Sequence, residues 1–172
     1  VQRFAVGNDA GTTGTFSTLN QSVESTGTTS IGSAGNGTYT MEDSTHVAGT
    51  FTVGETADGI GVVNQNGGRV EVTGTFYAGQ NGNGTYIMDR SDSLQSPEFI
   101  AGGEVIVGNA GIGVGRLDIL DGRFDVNSTG FKVAHDSATS SGTVNIGTSV
   151  GVTNPFVTIS GGNFETGDQG TG

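Results

Sequence analysis

Residues 50–79 read TFTVGETADGIGVVNQNGGRVEVTGTFYAG, a stretch that opens and closes on the same pattern. Thr50-Phe51-Thr52-Val53-Gly54 returns 25 residues later as Thr75-Phe76-Tyr77-Ala78-Gly79. Between them lie two more apolar runs, Gly61-Val62-Val63 and Arg69-Val70-Glu71-Val72, each bounded by Gly or Asn. One repeat therefore holds three strand-sized runs and three corners. Self-similarity at a period of roughly 20–50 residues is the signature of stacked-repeat architectures.

The Gly that closes the first run recurs along the chain. It stands at Gly7, Gly32, Gly54, Gly79, Gly108 and Gly167, with Ala134 in the same role, at spacings of 25, 22, 25, 29, 26 and 33 residues. Three positions before each anchor stand Phe4, Thr29, Phe51, Phe76, Val105, Phe131 and Phe164. One position before stand Val6, Ile31, Val53, Ala78, Val107, Val133 and Thr166. The residues between are more mixed, from Ala5 and Thr52 to Lys132 and Glu165. This is the period-2 alternation of a strand with one buried face.

A second run follows each anchor. It predicts two inward columns, Phe16, Tyr39, Val63, Tyr86, Leu117 and Val144, then Thr18, Met41, Gln65, Met88, Ile119 and Ile146. The column that starts Thr15, Thr38 and Val62 is expected to face out. A third run precedes the next first run, as in Glu98-Phe99-Ile100 and Phe124-Asp125-Val126. Gly27, Gly49, Gly74, Gly103 and Gly162 each precede an anchor by five residues and mark a recurring corner, where Gly is expected for its tolerance of positive φ. No window carries a capped 3.6-residue period, so essentially no helix is expected. Pro97 and Pro155 fall just before third runs, where a strand tolerates Pro. The loops they close, 89–97 and 148–155, are expected to protrude at one corner.

These features define an all-β fold, a parallel β-helix or β-solenoid of about six turns with three short strands per turn. Six turns at the ordinary strand spacing give a rod of roughly 30 Å. It is read as a single domain over 1–172, with turns beginning near Arg3, Thr28, Thr50, Thr75, Glu104, Gly130 and Asn163. In this register Phe51, Val53, Phe76, Tyr86 and Val107 belong to the core, and Thr52, Glu71, Thr85 and Arg116 to the surface.

Composition narrows the function classes. The 172 residues include 33 Gly, no Cys and a net charge of −11, with only six basic residues. A polyanion-binding surface needs a basic patch, so nucleic acid is disfavoured as a partner. No run of 18 apolar residues predicts a membrane span. Low charge and many small polar residues also suit a disordered chain, but the Phe and Val residues recur in register, which disorder does not require. The sequence opens on Val1 rather than Met, as a processed form or an excerpt would.

The phrases TFTVGETADGIGVVNQNGGRVEVTG and TFYAGQNGNGTYIM resemble the Gly-rich repeats of large secreted bacterial β-solenoids, autotransporter-passenger-like or anchored cell-surface proteins. The resemblance rests on a pattern of the type G-T-F-N-Q-x-G-G-x-V-x-V and covers nearly the whole chain. It implies an extracellular or cell-surface location and a scaffold role. The chain departs from the pattern at Ala134-His135 and in the loop Asp89–Glu98.

Candidate sites are sparse. The position after each anchor is always polar: Asn8, Ser33, Glu55, Gln80, Asn109, His135 and Asp168. Such a column is either a groove or a ladder that satisfies backbone groups of the corner, and the ladder is favoured. Asp118, Asp121 and Asp125, with Arg116 and Arg123, form the densest ionisable cluster and are the glycan-site candidates. Two carboxylates work as acid and base when their environments differ. Here opposite charges alternate along one turn, which favours solvated surface charge. His46 and His135 lie turns apart, so no shared metal site, catalytic residue or cofactor is assigned. Thr15, Thr38, Thr85 and Thr143 resemble an ice-binding row, but Val62 and Arg116 interrupt it.

The leading expectation is a non-enzymatic extracellular rod that acts as scaffold or filament subunit. The alternative is a glycan-binding or glycan-cleaving β-helix with a cell-surface glycan as partner. Self-association is expected end to end, through Phe4 and Val6 on one face and Phe164 and Thr166 on the other, because open strand edges favour strand addition.

Overall fold

The computed structural model describes residues 1–90, 94–128, 130–147, 154–160 and 162–167. Its elements in chain order are β1 (Arg3–Val6), β2 (Thr13–Leu19), β3 (Ser22–Ile31), β4 (Asn36–Glu42), β5 (Ser44–Val53), β6 (Ile60–Gln65), β7 (Gly68–Val72), β8 (Phe76–Ala78) and β9 (Asn83–Met88). They continue with β10 (Glu98–Ala101), β11 (Val105–Val107), β12 (Val114–Ile119), β13 (Arg123–Val126), β14 (Gly130–Val133), β15 (Ser141–Ile146), β16 (Phe156–Ile159) and β17 (Asn163–Thr166). Among the described residues there is no helix.

The chain is a β-solenoid of about six turns. One sheet of six strands runs β15-β12-β9-β6-β4-β2. The other, of eleven strands, joins the remaining two runs of each turn. The pairings are parallel, and in the six-stranded sheet they hold one register, so Gly14, Gly37, Gly61, Gly84, Gly115 and Gly142 share one row and Phe16, Tyr39, Val63, Tyr86, Leu117 and Val144 another. In the early turns the third and first runs fuse into single ten-residue strands, β3 and β5. The corner at Gly27 or Gly49 is there a bend inside a strand, with a register shift between Ser25 and Thr28.

The core is the set of inward columns. Phe51, Val53, Phe76, Tyr86 and Val107 are fully buried. Aromatic rings follow one another along the axis at centroid distances of 6.0 Å (Phe51–Phe76), 4.9 Å (Phe76–Phe99), 4.7 Å (Phe99–Phe124), 6.0 Å (Phe124–Phe131) and 5.2 Å (Phe131–Phe164). The ladder weaves between columns. Where the first-strand column narrows to Val105, the third-strand column widens to Phe99 and Phe124, which keeps the interior filled.

Three surface expectations are corrected. Thr52 is buried at 2 % exposure, with Ser30 and Tyr77 in register above and below it; a short side chain with neighbouring strands about 4.8 Å away on both sides is shaded from water. Thr85, between Val62 and Arg116, and Glu71, between Val47 and Ile100 and paired with Arg69, are half-buried, and Arg116 is exposed as expected.

The corner glycines divide into two kinds. The anchor glycines have positive φ, from +66° at Gly7 to +74° at Gly108, as do Gly68 and Gly122 at the corner between second and third strands, and even Ala134 adopts +56° at its anchor. Gly27, Gly49, Gly74 and Gly103 have no positive φ, contrary to expectation. They are Gly because a Cβ would collide with backbone: at Gly49 with the Gly27 carbonyl oxygen, at Gly74 with that of Gly49, and at Gly103 with that of Gly74. This corner is a spine of backbone packed on backbone.

The loops between second and third strands separate β9 from β10 and β15 from β16. Residues 91–93 and 148–153 lie outside the described residues, so the expected common protrusion is not traced there; Leu94, within the first loop, is 94 % exposed.

Candidate functional site

The acidic cluster comes first, because it is the densest group of ionisable side chains. Asp118 sits on β12 in the six-stranded sheet, Asp125 on β13 in the other sheet, and Asp121 at the corner between them. Adjacent runs of one turn belong to different faces of the rod, so the three do not converge on one groove. The expectation of solvated charge is also overturned: Asp118, Asp121 and Asp125 are only 4 %, 0 % and 3 % exposed. Each instead lies beneath its own guanidinium. Arg116 Nε donates to Asp118 at 2.8 Å, Arg90 Nε lies 3.2 Å from Asp121, and Arg123 Nε lies 2.5 Å from Asp125. Asn145, in register with Asp118, donates a further bond of 2.6 Å, and the Gly122 amide donates to Asp121 at 2.6 Å. At Asp118 and Asp125 the aliphatic stem of an Arg two residues away on the same face covers the carboxylate and keeps its own head in water, whereas Arg90 reaches Asp121 from the preceding turn. The hydrogen bond that Arg123 donates to Asp125, then the charge of that carboxylate, raises the guanidinium above its ordinary value. This arrangement neutralises acids; it does not place two of them around a substrate.

Ion pairing extends to every Lys and Arg of the chain. Arg3 meets Glu55, Arg69 meets Glu71 and Glu98, and Lys132 meets Glu104 at 3.1 Å, alongside the three Arg–Asp pairs. Hydrogen bonding to Glu71 raises Arg69, and hydrogen bonding to Glu104 raises Lys132, each ahead of opposing burial.

The polar column after the anchors forms a ladder, but of another kind than backbone satisfaction alone. Ser33 donates to Glu55 at 2.5 Å and receives Arg3 at 3.1 Å. His135 Nδ1 stands 3.4 Å from Asn109 and 3.2 Å from Asp136. Backbone is capped one position further on, where Thr56 donates to the Ser33 carbonyl at 2.8 Å. Asp168 lies outside the described residues. Among the described residues no group of three His, Asp or Glu could hold a metal ion.

The residues proposed for end contacts occupy the two faces of the stack. Phe4 is half-buried and Val6 buried, while Phe164 is 54 % exposed and Thr166 exposed. Phe164 and Thr166 border an open hollow with Val133, Gly142 and Val144. Phe16, Ile146 and Phe156 add exposed apolar surface on the end turns.

The feature that sequence reading passed over is His46, treated there only as a metal candidate. It is wholly buried. Its Nε2 lies 2.8 Å from the Thr29 hydroxyl and its Nδ1 3.1 Å from the Tyr39 hydroxyl, which also lies 3.5 Å from Thr18. Burial lowers His46 to about 4. Burial pushes Tyr39 up to about 12 against the opposing bond from Thr18. The signal was available in the columns: His46 stands in register between Val23 and Val70.

Fold and side-chain arrangement together define a parallel β-solenoid whose Lys and Arg side chains are each paired with an acid of the same chain. No protein-family model matches the chain, and no curated protein or solved structure matches it.

Proposed function

We propose that this chain is a non-enzymatic structural rod, the stacked-repeat part of a secreted or cell-surface scaffold. The observation that carries the reading is the fate of the acidic cluster. The three carboxylates that a glycan-cleaving site would recruit lie on different faces, buried under separate guanidinium groups. The resemblance to Gly-rich bacterial surface repeats supports the extracellular setting. Self-association is the assembly mode: β1 of a second copy stacks on β17, so that Phe4 follows Phe164 and Val6 follows Thr166 in their columns. Exposed Phe164 and the hollow beside it supply the apolar area for that contact.

Sedimentation velocity of the 172-residue chain tests the assembly, with Phe164→Asp as the variant. Concentration-dependent growth in the wild type and its loss in the variant are expected. A wild type that remains monomeric at high concentration refutes end-to-end stacking and leaves continuation by further turns of a longer solenoid. A screen for glycan binding and cleavage, with Asp118→Ala alongside, tests the scaffold reading; turnover that the variant abolishes would overturn it.

A further inference from the structure

The inward column of the third strands reads Val23, His46, Val70, Phe99, Phe124 and Val157 in register. His46 is its one ionisable member. The rings of Phe4, Tyr39 and Phe51 surround it at 5.7, 5.5 and 5.1 Å. A neutral imidazole offers one donor and one acceptor, and the Thr29 and Tyr39 hydroxyls satisfy both. A second proton would place a cation there with no carboxylate among the described residues bonded to the ring. β1 presents Phe4 to the ring, β3 presents Val23 and Thr29, β4 presents Tyr39, β7 presents Val70, and β5 itself presents Phe51. The charged residues of these strands, Arg3, Glu24, Glu42, Arg69 and Glu71, alternate with the inward positions and are exposed or half-exposed. Tyr39, the one other titratable group at the ring, is neutral throughout the acid range.

We propose that His46 makes the first two turns an acid-triggered opening segment, which leaves the stack on protonation while the Phe-lined turns beyond it stay folded. Solenoid stability is a sum of turn and nearest-neighbour terms, so one segment opens without the rest. Opening bares Phe51 and the edge of β6, surfaces that the closed stack keeps covered. The pH window follows from the histidine. The unfolded segment binds a proton near 6.5, whereas the folded ring resists it down to about 4. Stability of the segment is therefore complete above the unfolded value and falls as pH drops from 6.5 towards 4. Most of that window lies above the ordinary carboxylate range, so acid effects on Asp and Glu do not mask it.

Hydrogen exchange read by mass spectrometry at pH 7.5 and pH 5, corrected for intrinsic rates, tests this on the intact 172-residue chain. Protection in β2 and β4 is expected to fall roughly 30-fold between the two conditions while β12 changes little. In His46→Gln, which keeps a donor and an acceptor but does not titrate, the drop is expected to vanish. No drop in the wild type, an equal drop in β12, or a drop that survives in His46→Gln would each overturn the proposal. Should His46→Gln not fold, the imidazole resonance of the wild type decides, with His135→Gln for assignment: a midpoint below about 5.5 supports the proposal and one above it refutes it.

Discussion

The turns around His46 and the turns around Phe99 use the same backbone and fill it differently. Around Phe99 the interior is mainly apolar: Phe76, Met88, Phe124, Leu117 and Ile119 are all buried, and Phe99 stacks on Phe124 with an interplanar angle of 9°. Around His46 four inward positions are polar, namely Thr18, Ser25, Thr29 and His46 itself; Thr29 bonds His46 directly, and the Tyr39 hydroxyl bridges His46 to Thr18. Turn three is intermediate, since Gln65 accepts from the Tyr86 hydroxyl at 2.9 Å and donates to the Gly68 and Glu98 carbonyls. Burial drives Tyr86 well above its ordinary value. The backbone ladder fixes the fold in both regions, while the column contents decide how each responds to solvent conditions.

The sharpest test of this contrast is deletion of an aromatic ring. Phe99→Ala should cost about 3–5 kcal/mol in denaturant unfolding, as expected for a fully buried Phe. Phe4→Ala, at a half-buried position on the first turn, should cost less than half as much. Equal losses would show that the two regions are packed alike.

Next in size is Thr29→Val, which restores the apolar residue type found at Val105 in the same column. If the polar interior were only a packing defect, the change would stabilise. We expect a loss of about 1–3 kcal/mol instead, because a nitrogen of His46 is left without its partner in a dry site. Thermal melts at neutral pH read the sign directly.

The smallest effect concerns the corner. Ala134 holds the left-handed conformation that Gly holds at the other described anchors. Ala134→Gly should raise stability by about 1 kcal/mol through relief of the Cβ clash. Unchanged or lower stability would show that lost chain entropy in the unfolded state outweighs that relief.

Much of this was legible in the sequence for one physical reason. Parallel in-register stacking turns a side-chain requirement into a repeat, so Phe51, Phe76 and Gly54, Gly79 announce columns and corners. What repetition does not encode was missed. The burial of Thr52 depends on the neighbours one turn away, and that of Asp125 on a guanidinium folding over it. Gly49 and Gly74 looked like turn residues, whereas contact between successive corners excludes a side chain there. The alternation Arg-x-Asp was read as surface charge because sequence shows spacing and not which partner covers the other. His46 was readable in principle, as a break in a column of Val and Phe, but the column becomes visible only once the register of β5 against β7 is fixed.

The hydrogen bonds between turns run along the rod, from Gly54 to Ile31 and from Gly79 to Val53 for instance, at 2.9 and 2.7 Å. An axial pull therefore loads successive turns in series and peels them from an end instead of shearing whole sheets. Each turn holds 22 to 33 residues by the anchor spacing. At about 3.4 Å per extended residue, one peeled turn releases roughly 70–110 Å of chain. Such a rod is stiff until it yields and then lengthens in steps of one turn, at a force set by the weakest column filling in the stack.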